Sequence, residues 1–251
     1  MSGHSKWSSI KHKKGAADIK RGKLFSKLSR AIIVAAREGG PDPAGNLALQ
    51  NAVEKARSYS MPKDNIERAI AKGSGEGAEA SNFETVVYEG YGPEGVAVLV
   101  EALTDNRNRT ASEVRFLFSK HGGNLGATGA VAWQFERQGV VLVSAAGVDE
   151  DELVLAAADA GADDVERDGS TYQVSCAPEA LGLVREAIAA AGYAIESAEL
   201  SMVPKTTVEI SDEAVAKKVV RLVEGLEDND DVQDVFANFD IPEQVLEAVA
   251  S

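Results

Sequence analysis

The sequence is nearly without cysteine: Cys176 stands alone among 251 residues. One thiol cannot form an intramolecular disulfide, which excludes a disulfide scaffold and fits a reducing cytosol. Histidine is almost as scarce. His4, His12 and His121 leave little material for a zinc site, so neither a metal nor a cofactor is expected. No apolar run approaches the roughly 20 residues that span a bilayer, which argues against a membrane partner. The amino terminus is positively charged but has no apolar stretch behind it, so it does not read as a secretory signal. It has the Lys- and Ser-rich, acid-poor look of a mitochondrial transit peptide, yet Gly3, His4 and Trp7 make a poor amphipathic leader. A cytoplasmic location is expected.

Acid is also missing from one end. The whole chain carries a formal charge of −14, but residues 1–37 hold ten Lys/Arg and one acid, Asp18. The arm Ser2–Lys14, SGHSKWSSIKHKK, has four lysines, two histidines, one tryptophan and no acid. Residues 138–251 hold six Lys/Arg against twenty-five Asp/Glu. Such asymmetry points to a polyanionic partner for the basic end. The plainer alternative is that the two faces aid solubility or pair with each other.

With 44% hydrophobic and 26% charged residues, the chain is ordinary for a globular protein of one to three domains. Beyond Ile19 the period is helical: Leu24, Leu28, Ile32 and Ala35 share one side. Lys20, Lys23, Lys27, Arg30 and Arg37 form a stripe nearly opposite. EGGPDPAGN ends this helix. A second follows with Leu49, Val53 and Ala56, and Pro62 and Asp64 open a third that closes at Gly73. Residues 1–75 therefore read as a basic arm and three-helix domain, and 76–82 as a Gly/Ser/Ala-rich linker.

Strand patterns come next. FETVVYEGY and GVAVLVEAL flank GPE, a hairpin signal. A helix is expected over Ala111–His121, with Thr110 and Glu113 at capping-box spacing. The Gly-rich loop 122–129 and a strand AVAWQFE follow. From Val140 the order is strand VVLVS, a helix capped by Asp149, two strands around Asp168-Gly169, a helix from Pro178, and a strand AIESAELSM. This is the βαββαβ, ferredoxin-like order. Residues 138–204 form that unit. TTVEI, a helix over 212–224 and VQDVFANF cannot complete it, so they are expected to return to the earlier sheet. The fold class is α+β and multidomain. A ferredoxin-like domain is inserted in a discontinuous α/β domain made of residues 83–137 plus 205–251.

The strongest functional signal is the basic end. Lysines attract phosphates and release condensed counterions, which gives affinity without sequence readout. Lys6, Lys11, Lys13, Lys14, Lys20, Arg21, Lys23, Lys27 and Arg30 are the expected phosphate contacts. Trp7 could stack on an unpaired base and His12 hydrogen-bond a phosphate. Arg107 and Arg109 precede the expected helix start, where a phosphate would offset the helix dipole. Pairing with Asp105, Glu101 or Glu113 is the equal alternative. GGNLGATG lacks the Gly-Lys-Ser/Thr end of a P-loop, so its glycines read as tight chain reversal. EDNDDVQD, residues 227–234, lacks the spacing of an EF-hand and reads as a solvated helix-to-strand loop. No convergent set of nucleophile, base or metal ligands is visible, so no catalytic residue is assigned and the chain is expected to be non-enzymatic.

Several stretches then gain a shared meaning. GHSKW…IKHKK…D…RGKLFSKL, MPKDNIERAI, YEGYGPEGVAVLVEALTDNRNRT, VRFLFSKHGGNLG and DVQDVF resemble the YebC/PmpR family over essentially the whole chain. One small departure is Ala130-Val131, where many members have Ser-Val. The resemblance implies an N-terminal helical domain and two α/β domains, one ferredoxin-like and inserted in the other. It implies no cofactor and no small-molecule substrate. Some members are described as DNA-binding transcriptional regulators; others act on the ribosome and relieve stalling. Ribosomal RNA or DNA is therefore the expected partner, with the ribosome preferred. A protein-interaction adaptor, whose binding would ignore salt, is the third possibility.

Overall fold

The computed structural model describes residues 18–75 and 83–250. The arm residues Lys6, Trp7, Lys11, His12, Lys13 and Lys14, and the linker 76–82, lie outside them.

Three helices come first: α1 (Asp18–Gly39), α2 (Leu47–Ser58) and α3 (Lys63–Gly73). The apolar stripe of α1 does what its spacing dictates. Leu28, Ile32 and Ala35 pack with Leu49, Val53 and Ala56 of α2 and Ile66 and Ala69 of α3. Asn46 pins the α1–α2 turn: it caps Leu49 N–H at 3.1 Å and donates to the carbonyls of Ala35 and Gly40. At Gly73 a Cβ would stand 2.5 Å from the Ile33 carbonyl oxygen, so only glycine lets α3 end this close to α1.

The second unit is an antiparallel sheet of β1 (Glu84–Tyr91), β2 (Ala97–Thr104), β3 (Asn124–Leu125) and β9 (Val232–Ala237), in the order β3-β1-β2-β9. Two helices, α4 (Arg107–Lys120) and α7 (Glu213–Glu227), cover one face. Val96, Val98 and Val100 meet Val114, Phe118, Leu222 and Leu226 there. The opposite face buries Ala97 and Leu99 with Phe135 and Phe236. Burial on both faces explains why β2 opens with four apolar residues in succession, Ala97–Val100, rather than an alternation. The closing segment adds β8 (Val208–Glu209), β10 (Phe239–Asp240) and α8 (Glu243–Ala250). β8 and β10 form a two-residue parallel ladder of their own. VQDVFA thus joins the earlier sheet as expected, whereas TTVEI does not. Ile210 and Phe239 nevertheless share that sheet's core, with Val208 packed against it.

The third unit runs β4 (Phe135–Ser144), α5 (Glu150–Asp159), β5 (Ala162–Asp168), β6 (Thr171–Cys176), α6 (Leu181–Ala190) and β7 (Ile195–Pro204). Its sheet order, β5-β6-β4-β7, is antiparallel throughout and is that of a ferredoxin-like domain. Val141, Val143, Tyr172, Val174 and Cys176 pack against Leu153, Ala157, Val184 and Ile188. The protein is therefore α+β and multidomain, with this domain inserted between the segments of the second.

Two elements differ from the sequence reading. AVAWQFE and VVLVS are not separate strands. Ala132–Gln134 is a 3-10 turn, and β4 runs unbroken from Phe135 through Gly139. A Cβ at Gly139 would meet Cys176 Sγ at 2.7 Å, so the glycine serves close packing rather than a break. Helix α4 begins at Arg107, not Ala111. Asn106 is its cap, accepting from Arg109 N–H at 3.1 Å.

Candidate nucleic-acid interface

From Lys23 to Arg37 the basic stripe of α1 meets the rest of its own molecule. Lys20 and Arg21 fall in its first turn. Lys23 Nζ stands 3.4 Å from Asp230 Oδ1 and donates to the Asp228 carbonyl. Lys27 donates to the Glu227 carbonyl at 2.5 Å. Arg30 donates to the Asp230 carbonyl at 2.5 Å and to Asp231 Oδ1 at 3.2 Å, with its guanidinium 5.3 Å from the Phe83 ring centre. Arg37 donates to the Phe83 carbonyl.

The receiving surface is the C-terminal end of α7 and the loop that follows it. The last carbonyls of a helix lack intrahelical partners and carry the negative end of its dipole, so cations are stabilised there. The run EDNDD adds carboxylates to those carbonyls. It is therefore not simply a solvated loop, as its composition suggests, but a dock for α1.

Asp231 anchors the loop. Its side chain is only 7% exposed. It accepts from Arg109 Nη2 at 2.6 Å, Thr110 Oγ1 at 2.8 Å and Thr104 Oγ1 at 3.4 Å. Burial alone would raise its pKa. The hydrogen bonds from Arg109 and Thr110, with the charges of Arg109 and Arg30, outweigh burial and hold it below the usual carboxylate range. Arg109 also meets Asp105 at 2.9 Å, and Arg107 meets Glu84 at 3.6 Å. Arg109 thus meets Asp105, one of the three acids expected, whereas Glu84 and Asp231 were not among them, and both arginines lie inside the first turn of α4 rather than before it.

A second contact lies where the three domains meet, beside a cleft of about 450 Å³. Lys55 of α2 reaches Asp234 of β9 at 2.7 Å and Glu199 of β7 at 3.6 Å. Glu101 and Asp234 are direct cross-strand partners in β2–β9. Like charges so placed repel. Burial and then Asp234 push the Glu101 carboxyl up. Burial opposes the charge on Lys55, but Asp234 and Glu199 prevail and keep its ammonium pKa above the ordinary value. Arg185 of α6 and Glu54 of α2 add a pair at 3.1 Å.

The Gly-rich loop is tied down by Glu89, whose carboxylate accepts the N–H groups of Gly129, Val131 and Ala132 at 2.6, 2.7 and 2.7 Å. Burial opposes ionisation of Glu89, yet these three donors hold its pKa low. Gly123 packs so close to Tyr91 that a Cβ would lie 2.5 Å from that carbonyl. Gly122 and Gly129 take the positive φ that chain reversal uses, whereas Gly123 serves close packing, and Trp133 projects just past the loop, 68% exposed. His121, after α4, is held below the ordinary histidine pKa by burial and by Lys120 and Arg221, so it adds little positive charge at neutral pH.

Sequence reasoning weighed Asp228, Asp230 and Asp231 only as part of a calcium-like run, and it did not single out Lys55 or Glu89. The abundance of acid after a helix end was a signal for the first three; the other two carry none.

Comparison with known proteins completes the picture. The family model described as "TACO1/YebC protein N-terminal domain" matches residues 5–76, and "TACO1/YebC second and third domain" matches residues 83–239. A protein of Rubrobacter xylanophilus named "Probable transcriptional regulatory protein" is 59% identical over 250 residues, covering 100% of both chains. One of Desulfotalea psychrophila bearing the same description is 54% identical with the same coverage. The crystal structure of a conserved hypothetical protein from Aquifex aeolicus matches with a TM-score of 0.79 and 53% identity, over 90% of this chain and 93% of that one.

Proposed function

Because the chain belongs to the TACO1/YebC family, we propose that it regulates gene expression by binding nucleic acid through its basic N-terminal domain, with no catalysis of its own. The favoured reading is a cytoplasmic translation factor that meets ribosomal RNA and relieves stalling. The division of charge carries it: ten Lys/Arg and one acid in residues 1–37, against six and twenty-five in residues 138–251. A basic end binds phosphate, and an acidic body is repelled by it, so the two together orient the chain on a polyanion. An arm with one aromatic, Trp7, suits unpaired bases and irregular RNA surfaces.

A second reading, DNA-binding transcriptional control, is favoured by the printed name of the relatives. It calls for base-reading side chains on a helix in the major groove. The stripe of α1 offers phosphate-type cations and no evident base-reading set.

Sedimentation with ribosomes, alongside binding to matched DNA and RNA over a salt series, separates the readings. Co-sedimentation with a steep salt dependence is expected. Discrimination of one promoter from random DNA by orders of magnitude, without ribosome binding, would reverse the order. Changing Lys11, Lys13 and Lys14 to Glu is expected to abolish nucleic-acid binding while circular dichroism stays unchanged. Undiminished affinity in filter binding would remove the arm from the interface.

A further inference from the structure

Three of the five α1 cations named as phosphate contacts, Lys23, Lys27 and Arg30, already meet carbonyl and carboxylate oxygens within the chain. We infer that the loop 228–231 is an internal phosphate mimic, and that nucleic acid must displace it to reach α1. This rests on the reading that the N-terminal domain binds nucleic acid, and it adds a closed and an open state to that reading.

Three observations carry it. First, the loop and the helix end before it offer closely spaced oxygens at a negative pole: the carbonyls of Glu227, Asp228 and Asp230 and the charged carboxylates of Asp230 and Asp231. Second, the loop is shaped without α1. Asn229 N–H bonds to the Leu226 carbonyl, Asp231 N–H to Asn229 Oδ1, Asn229 Nδ2 to Glu113, and Leu103 N–H to the Asp231 carbonyl. With Arg109, Thr104 and Thr110 on Asp231, the second domain holds this receptor for cations in place by itself. Third, the outer part of the contact stands in water. The Lys23 side chain is 51% exposed and its partner Asp230 67%. Exposed ion pairs are weak and screened by salt, so the contact is one a competing polyanion can exchange.

Masking lowers apparent affinity by the fraction of molecules in the open state. Weakening the mimic should raise affinity, and only through the α1 cations. The test uses the full chain and a short single-stranded RNA near physiological salt. Asp228→Asn with Asp230→Asn removes two exposed charges and spares Asp231. The expected result is a gain in affinity of about threefold or more. A charge-matched control on the ferredoxin-like domain, Glu179→Gln with Glu186→Gln, should gain less than half as much. The gain should vanish when Lys23→Gln and Lys27→Gln are added. Wild type that binds RNA, with a loop variant no tighter than the control, overturns the masking and leaves the binding reading standing. A gain that survives loss of Lys23 and Lys27 also overturns it. Failure of every protein to bind RNA or DNA overturns both.

Discussion

Among the described residues, two ionic contacts between the helical domain and the rest of the molecule are built on opposite plans. At the end of α7, cations on α1 meet mostly backbone carbonyls, and the outer pair, Lys23 and Asp230, is hydrated. At the three-domain junction, Lys55 is more enclosed and neutralises two carboxylates from two other domains. Removing a partner from a hydrated pair returns the other to water at little cost. Removing Lys55 leaves Asp234 opposite Glu101 without the ammonium that Asp234 bonds at 2.7 Å. One contact is suited to release, the other to holding the domains in register.

Asp231 is where the largest effect is expected, because the releasable contact is mounted on a fixed one. Asp231→Ala should cost about 3 kcal/mol in urea unfolding, since it strands Thr104, Thr110 and Arg109 together. The sign of its pH dependence follows from its lowered pKa. The stabilisation is fully present above the unfolded carboxyl value of about 4 and is lost as pH falls through the lower folded value. Wild type and variant should therefore converge in acid. A gap that persists at the lowest pH would mean that packing, not charge, fixes the loop.

Next in size is Lys55→Met, expected to cost about 2 kcal/mol, with Asp234→Asn added to it restoring about half. An equal loss from Lys27→Gln would erase the distinction between the two contacts. The smallest effect belongs to Arg107→Gln. That side chain is 65% exposed and its pair with Glu84 is long, so a change under about 0.5 kcal/mol is expected. A larger loss would show that the first turn of α4 depends on this pair.

What could be read in advance depended on distance along the chain. The α1 stripe, the Asp149 cap, the Asp168-Gly169 hairpin and the ferredoxin-like order are set by neighbours a few residues apart, and each stands where it was expected. Thr110 was misread as a cap because its hydroxyl answers to Asp231, 121 positions later. Asn106, four residues before it, takes the capping role. The strand break expected near Gly139 is absent because α6 and Cys176 pack onto that glycine from far along the chain. The DNDD run has no local pattern that names its partner. Its meaning comes from a helix some 200 residues earlier. Charge segregation announced that the two ends differ and left their pairing as the plainer alternative; it did not say which residues would meet.

The lone thiol of Cys176 has a practical consequence. It lies fully buried in the ferredoxin-like core, near the Gly139 carbonyl at 3.6 Å, and burial pushes its pKa up. A thiol reagent therefore reaches it only when that core opens. With no second cysteine to confuse the signal, its rate of labelling is a clock for the opening of that one core, read in the intact protein.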